Sequence, residues 1–85
     1  MPRSVFSDAY LIVVEYLIAL RKRAGVSQVE LARRLGRPQQ FISQVENRIR
    51  RIDIVEFHAY VRALGADPES AVVEVYRRLP DEFQL

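Results

Sequence analysis

Apolar side chains recur along this chain at three- and four-residue steps and are broken at intervals by glycine, proline or a small capping residue. No stretch shows the two-residue alternation of a half-buried strand, so the pattern predicts an all-α fold of five helices. The first helix is expected from about Ser7 to Ala24, after a loose lead-in over residues 1–6 that contains Pro2; Ser4 or Ser7 would cap it. Phe6, Tyr10, Val13, Leu17, Leu20 and Ala24 form its inward stripe, and Gly25 ends it behind the basic run Arg21-Lys22-Arg23, which suits the negative end of the helix dipole. Leu11, Ile12, Val14 and Ile18 lie off that stripe. Either the helix is buried on two sides within one chain, or the spare face meets a second subunit. The second is the favoured expectation, because large exposed apolar patches mark interfaces.

Helices two and three are short and separated by Gly36-Arg37-Pro38. Ser27-Gln28-Val29-Glu30 has the capping-box spacing: the serine oxygen accepts from a free backbone N–H, and the glutamate reaches back to the cap. Val29, Leu31, Ala32 and Leu35 follow at helical spacing, and Gly36 supplies the left-handed exit. Pro38 sets the backbone for a fresh start. In helix three, Phe41, Ile42, Val45 and Ile49 fall on one side of the wheel, and Gln39, Gln40, Ser43, Gln44 and Asn47 on the other. An outward face of amides without charge is odd as simple solvation. It makes sense as a surface that reads hydrogen-bonding groups.

Arg48 to Ile52 form a basic loop. Asp53 is expected to cap helix four, with Glu56 opposing the positive end of the dipole and Ile54, Phe57, Val61 and Leu64 inward until Gly65. Asp67-Pro68-Glu69 is a cap followed by a first-turn proline, opening a fifth helix that runs to about Leu79 with Val72, Val75, Tyr76 and Leu79 inward. Pro80 stops it, leaving a tail over residues 80–85 in which Phe83 and Leu85 either dock on a second subunit or fray.

Eighty-five residues, 49% hydrophobic and 28% charged, suit a single globular domain over residues 1–85. The absence of cysteine removes disulfides, thiolate zinc sites and thiol nucleophiles, and is compatible with a reducing cytoplasm. The apolar run Ala9 to Leu20 is broken by Glu15 and falls short of the roughly 20 residues of a membrane span. It has neither the basic start nor the cleavage site of a signal peptide. His58, the single histidine, has no metal-ligand partners in the sequence and is expected to be packed. With one lysine, one histidine and no phosphate-cradling glycine loop, nothing supports an enzyme, a cofactor, a metal or a small-molecule ligand.

The net charge of +2 says little, but its distribution says more. Residues 21–51 hold nine basic side chains against Glu30 and Glu46, nine minus two or +7. The remainder holds four basic and nine acidic, or −5. A basic middle between acidic ends suits a one-sided polyanion site, and twelve of the thirteen cations are arginine, the better fork for phosphate and guanine.

The run Ser27-Gln28-x-x-Leu31-Ala32-x-x-Leu35-Gly36, followed by Ile42-Ser43-x-Val45-Glu46, resembles the helix-turn-helix of the Cro/C1-type (XRE) regulators, over about residues 10 to 65. The Gln39-Gln40…Gln44 spacing is similar to that of lambdoid phage repressors, and GRPQQFISQVENRIRRIDIVEF is similar to a branch of small stand-alone bacterial regulators. The resemblance implies a five-helix, lambda-repressor-like DNA-binding domain with the helix-turn-helix at helices two and three. It implies a pair between Arg21 and Glu46 that orients the recognition helix. One departure stands out: relatives usually carry glycine where this chain has Arg48, so the left-handed exit is expected to shift to Asn47, which tolerates that conformation better than most residues.

The expected function is sequence-specific binding of double-stranded DNA and regulation of transcription by a homodimer, cytoplasmic and nucleoid-associated, of bacterial or phage origin. Helix three would enter the major groove, with Gln39, Gln40 and Gln44 at base edges and Ser43 sharing that face while bracing the helix. Phe41 either touches a thymine methyl or, as favoured, packs at the core or its rim. Gln28, Arg37, Asn47, Arg48, Arg50 and Arg51 would meet phosphates, with Arg50 or Arg51 in reach of a minor groove. The expected subunit contact comprises Leu11, Ile12, Val14, Ile18, Phe83 and Leu85. The rival reading is a protein-interaction module of the same fold, an antitoxin or adaptor with DNA binding secondary.

Overall fold

The computed structural model describes residues 8–83, and it builds them from five helices: α1 (Asp8–Arg23), α2 (Gln28–Leu35), α3 (Gln39–Glu46), α4 (Ile54–Ala63) and α5 (Pro68–Arg78). Expectations for residues 1–7, including the Ser4 or Ser7 cap and Phe6, and for Leu85 lie outside the described residues. No strand occurs among the described residues, and none of the described helices is long and apolar enough to cross a membrane.

Side-chain caps set three of the helix starts. Ser27 Oγ accepts from the Glu30 N–H at 3.0 Å, but the return half of the expected capping box is not formed, because two arginines hold the Glu30 carboxylate. The complete box is at α4: Asp53 accepts from the Glu56 N–H at 2.7 Å, and Glu56 accepts from the Asp53 N–H at 3.0 Å. Asp67 caps α5 without a return bond, accepting from the Ser70 N–H at 3.0 Å, with Pro68 in the first turn where its missing N–H costs nothing.

The main core joins Leu17 of α1, Leu31 and Ala32 of α2, Phe41, Ile42 and Val45 of α3, Phe57, Tyr60 and Val61 of α4, and Ala71 and Val75 of α5. α2 packs on α3 and α4, while α1 braces α3 and α5 from the other side. A smaller cluster gathers Tyr10 and Val14 with Leu11, Val13, Ile18 and Ile52. The surplus apolar surface of α1 is therefore used largely within the chain. Val14 is fully enclosed, so its assignment to a subunit contact is corrected, and Leu11, Ile12 and Ile18 are half-buried.

Several inward assignments also move outward. Ile54 is 68% exposed because it stands on the first turn of α4, beyond the reach of the core. Tyr76 is 69% exposed: among the described residues α5 packs on its neighbours through the side of Ala71 and Val75, so its buried stripe passes one residue to the side of the expected one. Val29 and Ile49 are exposed for similar reasons, in a first turn and past a helix end, and His58 is exposed rather than packed.

Candidate nucleic-acid interface

Two short helices define the site. α2 and α3 are joined by Gly36, at φ 66°, and Pro38, and their apolar faces turn into the core together. What remains outside on α3 is its uncharged polar side. Gln39, Gln40 and Asn47 are exposed, and Ser43 and Gln44 are half-buried at the edge of the same face. The Asn47 side-chain amide donates to Ser43 Oγ at 3.2 Å, so this pair braces the last turn.

A hydrogen-bonded chain runs from the core to this face. Arg21 donates from Nε and Nη2 to the two carboxylate oxygens of Glu46, at 2.7 and 2.8 Å, and from Nη1 to the Val26 carbonyl at 2.9 Å. Tyr60 donates its hydroxyl to the same carboxylate at 2.6 Å, and Gln28 adds an amide N–H at 2.9 Å. The Gln28 oxygen in turn accepts from the Gln39 amide at 2.8 Å. Arg21 and Glu46 are thus brought together as a buried bidentate pair. Such a pair is weak evidence for net stability, but removing one partner strands a buried charge, so it fixes where α3 can lie. Burial pushes the Glu46 carboxyl up, yet the bonds from Arg21, Tyr60 and Gln28 outweigh it and hold the group below the usual carboxylate range. Burial, reinforced by the bond to Glu46, pushes the Tyr60 phenol far above its ordinary value.

Sequence reasoning missed Tyr60. The signal was present, since Tyr60 lies three residues after Phe57 and four before Leu64 and so falls on the buried stripe of α4. It also gave Gln28 only an outward role. One of its amide hydrogens and its oxygen are engaged inside the protein, which makes it the link between the buried pair and the outward amides.

The basic residues divide into two groups. Arg33 and Arg34 both grip Glu30, lowering its carboxyl to about 2, and Arg34 also reaches the Ala63 carbonyl at 2.8 Å, tying α2 to α4. Arg50 forms a bidentate pair with Glu56, at 3.0 and 2.8 Å, and lies 4.7 Å from the Phe41 ring centre. The Arg50 fork is thus engaged by a carboxylate while its side chain stays partly exposed. Arg37 lies over the same ring at 4.4 Å, so Phe41, itself buried, is a platform for guanidinium groups and not an outward contact. Arg37, Arg48 and Arg51 keep exposed side chains, with Arg51 over the Tyr10 ring at 4.7 Å. The Tyr10 hydroxyl accepts from the Ile52 N–H at 3.0 Å, which pins the basic loop to α1.

The expected shift of the helix exit to Asn47 does not occur. Asn47 has φ −90°, and Arg48 itself takes the left-handed conformation at φ 63°. Among the described residues, no group of three or more histidine and acidic side chains stands close enough to hold a metal ion.

This geometry matches known proteins. The family described as "Helix-turn-helix domain" matches residues 13–72. No curated protein matches the chain. Among solved structures, an XRE-family like protein from Pseudomonas syringae pv. tomato is 40% identical, with 85% of this chain and 88% of that one covered at a TM-score of 0.80. A hypothetical transcription factor, NHTF, from Neisseria is 25% identical over 84% of this chain and 79% of that one, at 0.66. The clp gene regulator ClgR from Corynebacterium glutamicum, 20% identical over 81% and 73% with a TM-score of 0.70, shares the fold. The buried Arg21–Glu46 pair, the glycine between two short helices and these matches lead to one conclusion: the chain belongs to the XRE-type helix-turn-helix regulators.

Proposed function

We propose that this protein regulates transcription by binding a specific sequence in double-stranded DNA as a homodimer, with α3 of each protomer in the major groove. The observation that carries the reading is the outward amide face of α3, locked in orientation through Gln28 to a buried ion pair. In this reading Gln39, Gln40 and Gln44 face base edges, where a glutamine amide pairs bidentately with adenine N6 and N7. Because Gln28 holds one hydrogen of the Gln39 amide, Gln39 meets DNA with its orientation already set, which limits the entropy lost on binding. Gln28, Asn47, Arg37 and Arg51 approach phosphates to either side, and Ser43 shares the face while bracing Asn47.

The dimer follows from a need and a surface. One short helix makes few base contacts, so domains of this kind pair across half-sites about 34 Å apart. With α1 mostly used inside the chain, three of the exposed apolar side chains, Ile54, Val73 and Tyr76, stand around a cleft between α4 and α5 that Phe57 and Val72 floor. A second copy on that face is the proposed arrangement. The same surface supports the alternative, an antitoxin or adaptor that holds a different protein there. Selection of bound duplexes from a random pool tests the proposal: enrichment of a two-fold symmetric site with half-sites about one helical turn apart is expected. A pool with no enriched sequence would sink it.

A further inference from the structure

Four of the five helices leave by the same turn. In it, the N–H of a left-handed residue and that of the residue after it bond back to two carbonyls of the last helical turn. In α1 the bonds are Gly25 to Lys22 at 3.0 Å and Val26 to Arg21 at 3.2 Å; in α2, Gly36 to Arg33 at 3.1 Å and Arg37 to Ala32 at 3.0 Å. In α4 they are Gly65 to Arg62 at 2.9 Å and Ala66 to Val61 at 3.2 Å. α3 repeats the turn, Arg48 to Val45 at 3.2 Å and Ile49 to Gln44 at 2.9 Å, but with an arginine at the left-handed position. The chain has three glycines, and all three sit at this position in the other helices. A Cβ in the left-handed region crowds the backbone carbonyl, so the fold on its own favours glycine at 48 too.

Among the described residues, no side chain or carbonyl holds the Arg48 guanidinium to offset this. Arg21, Arg33, Arg34 and Arg50 are each held by a carboxylate, whereas Arg48 is exposed and stands in no ion pair among the described residues. We propose that Arg48 holds a strained helix exit because its guanidinium grips a DNA backbone phosphate where α3 leaves the groove, so that stability and DNA affinity oppose each other at this residue. The inference rests on the DNA-binding reading above. The competing explanation is a cation for the helix dipole, since α3 has no basic residue in its last turn.

The variants Arg48→Gly and Arg48→Lys separate these. Thermal unfolding is measured beside binding to two labelled duplexes, the selected site and an unrelated sequence, over a range of salt. Arg48→Gly should unfold at a higher temperature, bind both duplexes several-fold more weakly, and lower the salt slope by about one per protomer. Arg48→Lys should keep the slope without gaining stability. An Arg48→Gly protein with unchanged affinity and slope overturns the phosphate grip. One that unfolds earlier shows that the arginine serves the helix dipole and overturns the strain. If the unaltered protein binds neither duplex, the functional reading fails first and this inference with it.

Discussion

Glu46 is where the chemistry of single residues is most concentrated, since one carboxylate takes hydrogen bonds from Arg21, Tyr60 and Gln28. Its folded pKa lies below the unfolded one, near 4.3, so its contribution to stability is complete above that pH and is lost as pH falls through the folded value. Tyr60 acts at the other end. Its folded pKa lies above the unfolded value of about 10, so its contribution is complete below pH 10 and declines as pH rises beyond it, by about 1.4 kcal/mol per pH unit. Urea unfolding of Tyr60→Phe should therefore show lower stability at pH 7, by about 1–3 kcal/mol, and a shallower alkaline decline. A variant that keeps the full alkaline decline would show that another group causes it. On the reading side, Gln44→Ala should cost on the order of 1–3 kcal/mol on the selected site and relax its specificity; equal loss on random DNA would remove Gln44 from base reading.

Among the elements, α3 is held by its neighbours more than by itself. With eight residues it is too short to be stable alone, and Phe41, Ile42 and Val45 bury it against α1 and α2. The loop after it is held by Arg50 and Glu56. The Arg50 bond lowers the Glu56 carboxyl most, assisted by the Asp53 N–H, so one glutamate both completes the α4 cap and anchors the basic loop. Arg50→Ala should lower stability by about 1 kcal/mol while leaving the salt dependence of DNA binding unchanged. Urea midpoints and a salt titration check this together; a reduced slope with unaltered stability would return Arg50 to the phosphates.

Over the whole molecule, ion pairing changes what the charge pattern means. The middle of the chain holds nine cations, but four of them, Arg21, Arg33, Arg34 and Arg50, are engaged by Glu46, Glu30 and Glu56. A modest phosphate grip per protomer makes a paired arrangement more necessary for specificity. Tyr76→Glu, at an exposed position, should leave thermal stability nearly unchanged yet produce monomers in sedimentation velocity and weaken binding to the full symmetric site more than to a half-site. An undiminished dimer would place the subunit contact elsewhere.

Local signals made the helices legible. Ser27, Asp53 and Asp67 at the starts, glycines at three exits and apolar side chains at helical spacing each act within a few residues, so the five-helix order and the outward amides of α3 could be read directly from the chain. The Arg21–Glu46 contact was legible by resemblance, although the residues lie 25 apart. Periodicity shows which face of a helix is apolar, but it does not show how wide a strip its neighbours cover. That is why Tyr76 and Ile54 turned outward and Val14 inward. Nor does composition show which cation meets which carboxylate, so the brace between Arg50 and Glu56 was not foreseen. Backbone geometry at Arg48 was settled by the return of the chain from α3 to α4, which needs a left-handed residue at that point whichever side chain stands there. Short-range chemistry was set by the order of residues; long-range pairing, burial and strain depended on packing, because they arise between elements that the chain brings together only when it folds.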